Sequence, residues 1–229
     1  MDTSTVSDAP GPASPPADGG RIYYIQHNAG VGVWTADDGG GGPAGPKYRT
    51  SGIHLINGKK TMEVDAGASA FTDTVGDVNG QQPWSFSALL RLVTPVSGRA
   101  TLFKNGDTPS VELFMDNSGN VGFSNNGSDT NVAAAVNGVQ VLIWTFEPGV
   151  GVNVYRDTGS GLAQIGVTSA NVDATGYELF NNCSFLGSAG GASDLPLGSD
   201  VAEFWAHPFV FDAGELAQQA AYLASQGGL

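Results

Sequence analysis

Short apolar segments separated by glycine- and asparagine-rich corners run through most of this 229-residue sequence. Residues 84–93 (WSFSALLRLV) and 139–147 (VQVLIWTFE) combine aromatic and β-branched residues over lengths that are typical of strands. Dipeptides such as Asn137-Gly138 supply turn chemistry between such segments, which favours a β-sandwich or barrel. The pattern predicts strands over 21–26, 32–34, 60–64, 69–71, 84–93, 100–104, 111–115, 120–124, 139–147, 151–156, 163–167, 184–186 and 201–210.

One helix is predicted, at the end of the chain. Asp212 can cap its first turn, and Glu215 three residues later completes a capping box. Phe211 and Leu216 occupy the two positions of a hydrophobic staple across the same turn. An apolar stripe at helical spacing and a glycine stop follow, formed by Leu216, Ala220, Leu223 and Gly227.

The order of these segments resembles the concanavalin A-like, or laminin-G-like, jelly roll. The resemblance covers residues 21–229 and implies an all-β fold, an antiparallel two-sheet jelly-roll sandwich with a short C-terminal helix. Its function is not implied, because this fold carries lectins, adhesion modules, hydrolases, lyases and viral structural proteins. The segments that carry the resemblance are 84–91, 100–106 (ATLFKNG), 111–123 (VELFMDNSGNVGF), 139–156 and 201–222 (VAEFWAHPFVFDAGELAQQAAY).

Residues 1–20 differ in composition from the rest of the chain. They are rich in Pro, Ala, Ser and Asp, and they contain neither Lys nor Arg nor an apolar run. This composition predicts an extended low-complexity arm, not a signal peptide or membrane anchor, in front of a domain at 21–229. We expect the arm to dock on a neighbouring subunit through Asp2, Pro10, Pro12, Pro15 and Pro16.

Charge limits the partners that this chain can have. It carries 22 acidic and 9 basic residues, a formal net charge of −13, so nucleic acid and anionic membrane surfaces are poor partners. Its longest apolar stretches have the length of strands, which is too short to span a bilayer. The chain has a single cysteine, Cys183, so no intramolecular disulfide can form.

No catalytic constellation is visible in the sequence. A glycoside hydrolase needs two carboxylates about 5–10 Å apart, but the six glutamates are scattered along the chain. Glu63 with Asp65, and Glu112 with Asp116, are the pairs that a strand could place on one face. The three histidines form no metal-binding motif. We therefore predict that the protein is not an enzyme.

Two aromatic residues are candidates for stacking on sugar rings. Trp34 lies beside a run of glycines, and Tyr48 lies in the loop that we expect to follow it. The other three tryptophans, Trp84, Trp144 and Trp205, lie in apolar segments and are assigned to the core.

A calcium site is the one cofactor alternative that the sequence leaves open; otherwise no cofactor is expected. Related sandwich modules hold Ca²⁺ through loop carboxylates and carbonyls. The candidates are Asp37 and Asp38, the turn that Asp116 opens, and the pair Asp194 and Asp200. Each also suits an ordinary turn, and spacing does not choose among them.

The sequence favours a structural or binding role. The low-complexity arm, the polar composition poor in Lys and the resemblance to a jelly roll predict a virion component: a phage head decoration, fibre or spike protein made in the host cytoplasm. Its arm would anchor an outward-facing lectin-like sandwich on a capsid or tail protein and on its own copies. The alternatives are a carbohydrate-binding lectin-like module that takes a cell-surface glycan and, second, a glycoside hydrolase or polysaccharide lyase.

Overall fold

The computed structural model of the chain describes residues 6–7, 16–22, 24–26, 33–36, 45–64, 71–73, 83–93, 99–104, 111–118, 120–125, 128–134, 137–147, 150–167, 183–185, 199–207 and 209–229. These residues form two sheets, a 3-10 turn at Gly52–His54 and a helix, α1, at Ala213–Gly227. The strands are β1 Val6–Ser7, β2 Tyr24–Gln26, β3 Val33–Ala36, β4 Lys47–Arg49, β5 Thr61–Glu63, β6 Phe71–Asp73, β7 Trp84–Leu92, β8 Arg99–Lys104, β9 Val111–Asp116, β10 Asn120–Asn125, β11 Ser128–Ala134, β12 Gly138–Glu147, β13 Gly151–Asp157, β14 Ala163–Val167, β15 Cys183–Phe185 and β16 Asp200–His207.

The strands form two antiparallel layers. One sheet has the order β1-β2-β3-β6-β15-β8-β9-β10-β11, and the other has the order β14-β13-β12-β7-β16-β5-β4. Every described strand pair is antiparallel. Strands that follow one another in sequence often lie in opposite sheets, as β7 and β8 do. This confirms the predicted all-β fold, a two-sheet jelly-roll sandwich with a short C-terminal helix.

The main core lies between the two sheets. Along β7, alternate residues point inward, and Phe86, Ala88 and Leu90 belong to this core. The ring of Phe86 lies 5.2 Å from that of Phe103 on β8, so the contact joins the two sheets. It also lies 5.9 Å from the ring of Trp144 on β12. Phe86 therefore lies at the centre of an aromatic cluster that holds the sheets together.

A second apolar cluster lies on the outer face of the seven-stranded sheet, where α1 packs. The intervening residues of β7 point outward, and Gln219 of α1 donates a 2.9 Å hydrogen bond to the hydroxyl of Ser87. The helix therefore covers β7 and β12, while the outer face of β16 borders it. The buried members of this cluster are Ile56, Leu89, Val141, Ile143, Ala202, Phe211, Ala220, Leu223 and Ala224.

The ends of α1 follow the predicted capping chemistry. The amide of Glu215 donates to the Asp212 carboxylate at 2.8 Å, and the amide of Asp212 donates to Glu215 at 2.9 Å. The predicted stop at Gly227 is displaced by one residue. Gly228, with φ of 70°, adopts the left-handed conformation that ends the helix.

Residues near the N-terminus are joined to the domain. β1 pairs with β2, and the Asp18 carboxylate accepts hydrogen bonds from the Thr50 amide at 2.6 Å and from the Ser51 hydroxyl at 3.0 Å. The amide of Tyr48 donates to the carbonyl of Gly20 at 2.8 Å. Residues 6–7 and 16–20 therefore make contacts with the sandwich, and the predicted boundary after residue 20 stays a prediction.

The predicted docking arm is only partly described. Pro16 is buried. The other predicted arm residues, Asp2, Pro10, Pro12 and Pro15, lie outside the described residues. Docking of the arm on a neighbouring subunit stays a prediction.

Candidate functional site

The two aromatic residues that the sequence selects for sugar binding have different outcomes. The prediction that Tyr48 stacks on a sugar is wrong, because Tyr48 lies on β4 and not in a loop, and only 1% of it is exposed. Its ring packs in the core between the sheets, so it cannot present a face to a sugar. The backbone of Trp34 lies in β3, but its side chain is outside the described part of the structure. Trp34 stays a prediction.

The calcium candidates stay untested. Asp37, Asp38 and Asp194 lie outside the described residues. Asp116 ends β9, and its carboxylate accepts hydrogen bonds from the amides of Ser118 at 2.9 Å and Asn120 at 2.8 Å, which is the chemistry of a tight turn. Within the described ranges, no three His, Cys, Asp or Glu side chains are grouped so that they could hold a metal ion.

Two buried carboxylates lie opposite each other on the outer face of the seven-stranded sheet. Glu63 of β5 and Asp200 of β16 are paired across the two strands, and His54 lies between them. The Nε2 atom of His54 is 3.6 Å from Glu63 Oε1, and its Nδ1 atom is 3.0 Å from Asp200 Oδ1. Arg49 pairs with Glu63 at 2.5 Å, and Arg91 pairs with Asp200 at 2.6 Å. We call these five residues the ion-pair cluster.

The charged groups of the ion-pair cluster are paired with one another. Both carboxylates have an arginine partner, and Arg91 also donates to the carbonyls of Ile53 at 2.7 Å and Leu55 at 2.9 Å, which fixes the 3-10 turn. Burial nevertheless raises the pKa of Asp200, although His54 and Arg91 act in the opposite direction. Carboxylates held in this way join three segments of the fold.

The hydrolase pairs suggested by the sequence do not form open sites in the described residues. Asp65 lies outside the described residues, and Glu63 belongs to the ion-pair cluster. Glu112 forms an ion pair with Arg99 and accepts a hydrogen bond from the hydroxyl of Thr101 at 2.5 Å. The described members of both pairs are therefore engaged by neighbouring side chains.

Further along β16, a register shift brings a carboxylate and an aromatic ring to the outer face. Val201 and Phe204 pack towards the main core, and the shift lies between Val201 and Glu203. A β-bulge of this kind inserts one extra residue and redirects the side chains that follow. Trp205 packs against the outer cluster beside α1, and Glu203 contacts residues of that same face.

The Glu203 carboxylate is the centre of this surface. It is 7% exposed, and the indole Nε1–H of Trp205 donates to its Oε2 at 3.4 Å. The ammonium of Lys59 lies 3.3 Å from Oε1. Tyr222 on α1 interacts electrostatically with the same carboxylate: burial, and after it the neighbouring Glu203, raise the pKa of the Tyr222 hydroxyl. We call Lys59, Glu203, Trp205 and Tyr222 the β16–α1 patch.

The turn that carries Lys59 is specified locally. Asn57, with φ of 49°, and Gly58, with φ of 76°, both adopt the left-handed conformation, as a type I′ hairpin requires. The adjoining residues Ile56 and Lys59 form a bridge. The side-chain amide of Asn57 donates to the carbonyl of Gln226 at 3.2 Å, which fixes the turn against α1. Lys59 is therefore held beside the helix.

Aromatic rings extend the patch towards the end of β16. The ring of His207 is nearly parallel to that of Trp205, with centroids 6.4 Å apart and planes at 16°. Phe209 and Phe211 lie 5.3 and 4.9 Å from His207, and Phe209 is 41% exposed. The buried Nε2 atom of His207 has no hydrogen-bond partner among the described residues. The imidazole is thus surrounded mainly by aromatic rings.

Acidification is expected to destabilise the protein through His207. Burial lowers the pKa of His207 below 6.5, with Glu215 acting in the opposite direction. A lowered histidine pKa means that the unfolded chain takes up the proton first, so this contribution to stability is present above pH 6.5 and is lost as the pH falls through the folded-state pKa. Urea unfolding of wild type and His207→Phe between pH 7.5 and 5 should therefore diverge, with wild type losing more stability. Parallel profiles would contradict this assignment.

Sequence reasoning assigned Trp205 to the core and missed it as a residue of this candidate site. Trp84 and Trp144 are buried between the sheets as predicted, but Trp205 is half-buried on the outer face. The signal was available, since Phe204 and Trp205 are consecutive and a strand can send only one of two neighbours inward. The contributions of Lys59 and Tyr222 had no local signal.

No protein-family model matches the chain, and no curated protein sequence matches it. The fold is similar to domain 4 of AbnA, an extracellular GH43 arabinanase from Geobacillus stearothermophilus solved with arabinotriose. That likeness has 15% identity, a TM-score of 0.58 and coverage of 83% of this chain and 88% of the domain. Trypanosoma rangeli sialidase matches with 10% identity and a TM-score of 0.60, over 92% of this chain and 31% of its own.

The binding domain of botulinum neurotoxin DC, solved in complex with rat synaptotagmin II, is also similar. It matches with 11% identity and a TM-score of 0.57, over 89% of this chain and 51% of its own. This chain thus spans about a third of the sialidase and half of the toxin domain. At such low identity, these likenesses establish a jelly-roll-like β-sandwich.

The described residues contain one α-helix, α1. In the part of the chain that is described, no helix is long and apolar enough to cross a membrane. Helix α1 is 15 residues long and carries a capping box at its start.

Proposed function

We propose that this chain is a non-enzymatic, lectin-like binding module that holds a glycan at the β16–α1 patch. The observation that carries the proposal is the meeting of two aromatic side chains, Trp205 and Tyr222, at one nearly buried carboxylate, Glu203. Lys59 adds a donor at the same carboxylate, and Tyr222 is 43% exposed, so a ligand can reach the patch.

The chemistry of the patch suits a sugar. One face of a pyranose ring is apolar and packs against an aromatic ring, while its hydroxyls need donors and acceptors at fixed positions. Trp205 and Tyr222 supply the aromatic surface, and Glu203 and Lys59 supply charged hydrogen-bonding groups, which form the stronger class of hydrogen bond. Because these residues come from β16, α1 and a tight turn packed on α1, the arrangement is largely formed before a ligand binds.

The structural likenesses support this proposal only at the level of the scaffold. Domain 4 of the arabinanase was solved with arabinotriose bound, so a sandwich of similar fold is a sugar-binding module in that protein. The ion-pair cluster and Glu112 support a non-enzymatic role, because their carboxylates are paired with arginines.

A glycan array tests the proposal directly. Wild-type protein should bind a subset of glycans, and Trp205→Ala should lower that binding at least tenfold, because the variant loses both the stacking surface and the donor to Glu203. Tyr222→Ala removes an exposed ring and should lower binding without unfolding the chain. Val150→Ala, a change at an exposed apolar residue on the turn before β13, is the control and should bind as wild type does.

The same array separates this site from the alternatives. Each variant is measured with Ca²⁺ and with EDTA, and Trp34→Ala is included. Binding that depends on Trp34 or on calcium, and that survives both Trp205→Ala and Tyr222→Ala, would place the site elsewhere. Absence of binding to every glycan under both conditions would contradict a lectin-like function.

The virion role is a separate prediction of the sequence. The structures to which the chain is similar are a sialidase, an arabinanase domain and a toxin domain, so they give it no support. A lectin-like module at the surface of a particle would satisfy both hypotheses. Capsid or tail proteins as partners, and location in a virion, stay predictions.

A further inference from the structure

The charges around the β16–α1 patch bear on the class of glycan. Glu203 is paired with Lys59 at 3.3 Å, so the ammonium that lies at the patch is already committed to a carboxylate. Lys60, the next residue, directs its ammonium to the ring of Tyr48, 5.8 Å from the centroid. Positive charge near the patch is therefore balanced or directed elsewhere.

Acidic groups border the patch on the helix side. Glu215 is exposed in the first turn of α1 and acts electrostatically on His207, which stacks on Trp205. Asp212 is exposed at the start of the same helix. The whole chain adds a net charge of −13. An anionic ligand would thus meet a carboxylate at the floor of the patch and further acids beside it.

We infer that the patch selects uncharged oligosaccharides over sialylated or otherwise acidic ones. The inference rests on the proposed function and names its ligand class. A ligand carboxylate placed within a few ångströms of Glu203 would be repelled, and a partner such as Lys59 could reach it only by leaving Glu203 unpaired in a nearly buried position. Neutral hydroxyls face neither penalty, because they can donate to Glu203 and accept from Lys59 without separating the pair.

Matched pairs of glycans test the inference: the same neutral oligosaccharide core printed with and without a terminal sialic acid. At 50 mM salt the sialylated member should bind at least about fivefold more weakly, corresponding to roughly 1 kcal/mol of repulsion in a partly exposed site. At 500 mM salt the ratio should fall, because the Debye length shortens to a few ångströms.

Glu203→Gln identifies the carboxylate responsible. The variant frees the charge of Lys59, so the ratio between neutral and sialylated members should shrink or reverse. Glu147→Gln makes the same change of charge at the exposed end of β12, two strands away, and should leave the ratio unchanged.

The possible results are distinct. Stronger binding of neutral members, with a ratio that depends on Glu203 and on salt, supports the inference. Equal or stronger binding of sialylated members overturns it, while the lectin-like function stands. Silence on every member in both salts contradicts the proposed function, and the inference falls with it.

Discussion

Replacing Arg91 by methionine is expected to lower the free energy of unfolding by about 3 kcal/mol. The side chain of Asp200 is 1% exposed, and Arg91 is its ion-pair partner at 2.6 Å. Methionine preserves the apolar stem of the side chain but leaves a buried carboxylate whose remaining side-chain hydrogen-bond partner is His54. The loss is measured by urea or guanidinium unfolding at pH 7.

The pH dependence identifies the cause of this loss. Because the pKa of Asp200 is raised, its contribution to stability is complete below its ordinary value of 3.8 and is lost as the pH rises through the folded-state pKa. Removing Arg91 raises that pKa further. The deficit of Arg91→Met should therefore be largest near neutral pH and smaller at acidic pH, where Asp200 carries a proton.

A double variant provides the control for this prediction. Arg91→Met combined with Asp200→Asn removes the buried charge together with its partner, so it should be more stable at pH 7 than Arg91→Met alone. If the free energy of unfolding of Arg91→Met stays within about 0.5 kcal/mol of wild type, the ion-pair cluster does not stabilise the fold. Its paired carboxylates would then deserve a test for hydrolytic activity.

Replacing Phe86 by alanine is expected to lower the free energy of unfolding by about 4 kcal/mol. Its ring contacts Phe103 of the opposite sheet and both Trp144 and Phe204 of its own sheet. Since these rings belong to two sheets, they cannot all collapse into the space that Phe86 leaves. Chemical denaturation with tryptophan fluorescence measures the change.

Phe209→Ala is the matched control for Phe86→Ala. It removes the same group of atoms from a side chain that is 41% exposed and whose ring lies beside those of His207 and Phe211. Its effect should be below about 1 kcal/mol. Equal losses at the two positions would mean that Phe86 does not join the sheets.

The sequence predicts those parts of the fold that are written locally. The apolar runs of β7 and β12 and the capping box of α1 each lie within about ten residues, and the structure has them where they are predicted. Polar strands were missed. β11 has the sequence SDTNVAA, and β4 has the sequence KYR, neither of which shows a hydrophobic alternation that distinguishes a strand from a loop. Missing β4 led directly to the wrong placement of Tyr48.

The candidate site could not be predicted in the same way. The β16–α1 patch joins Lys59 to residues about 145 and 160 positions later in the chain. The ion-pair cluster joins Arg49 to Asp200. Such pairs depend on the register of β16 against its neighbours and on a bulge next to Glu203. A single sequence carries no record of these contacts.

The most direct test of the β16–α1 patch follows the indole N–H of Trp205 in a ¹H–¹⁵N correlation spectrum, assigned with Trp205→Phe. Titration with a neutral oligosaccharide that binds on the array should shift this signal, because the indole nitrogen lies 3.4 Å from Glu203 at the centre of the patch. The indole signals of Trp84 and Trp144, buried between the sheets, should not move. A shift of the Trp34 indole with no change at Trp205 would contradict the account.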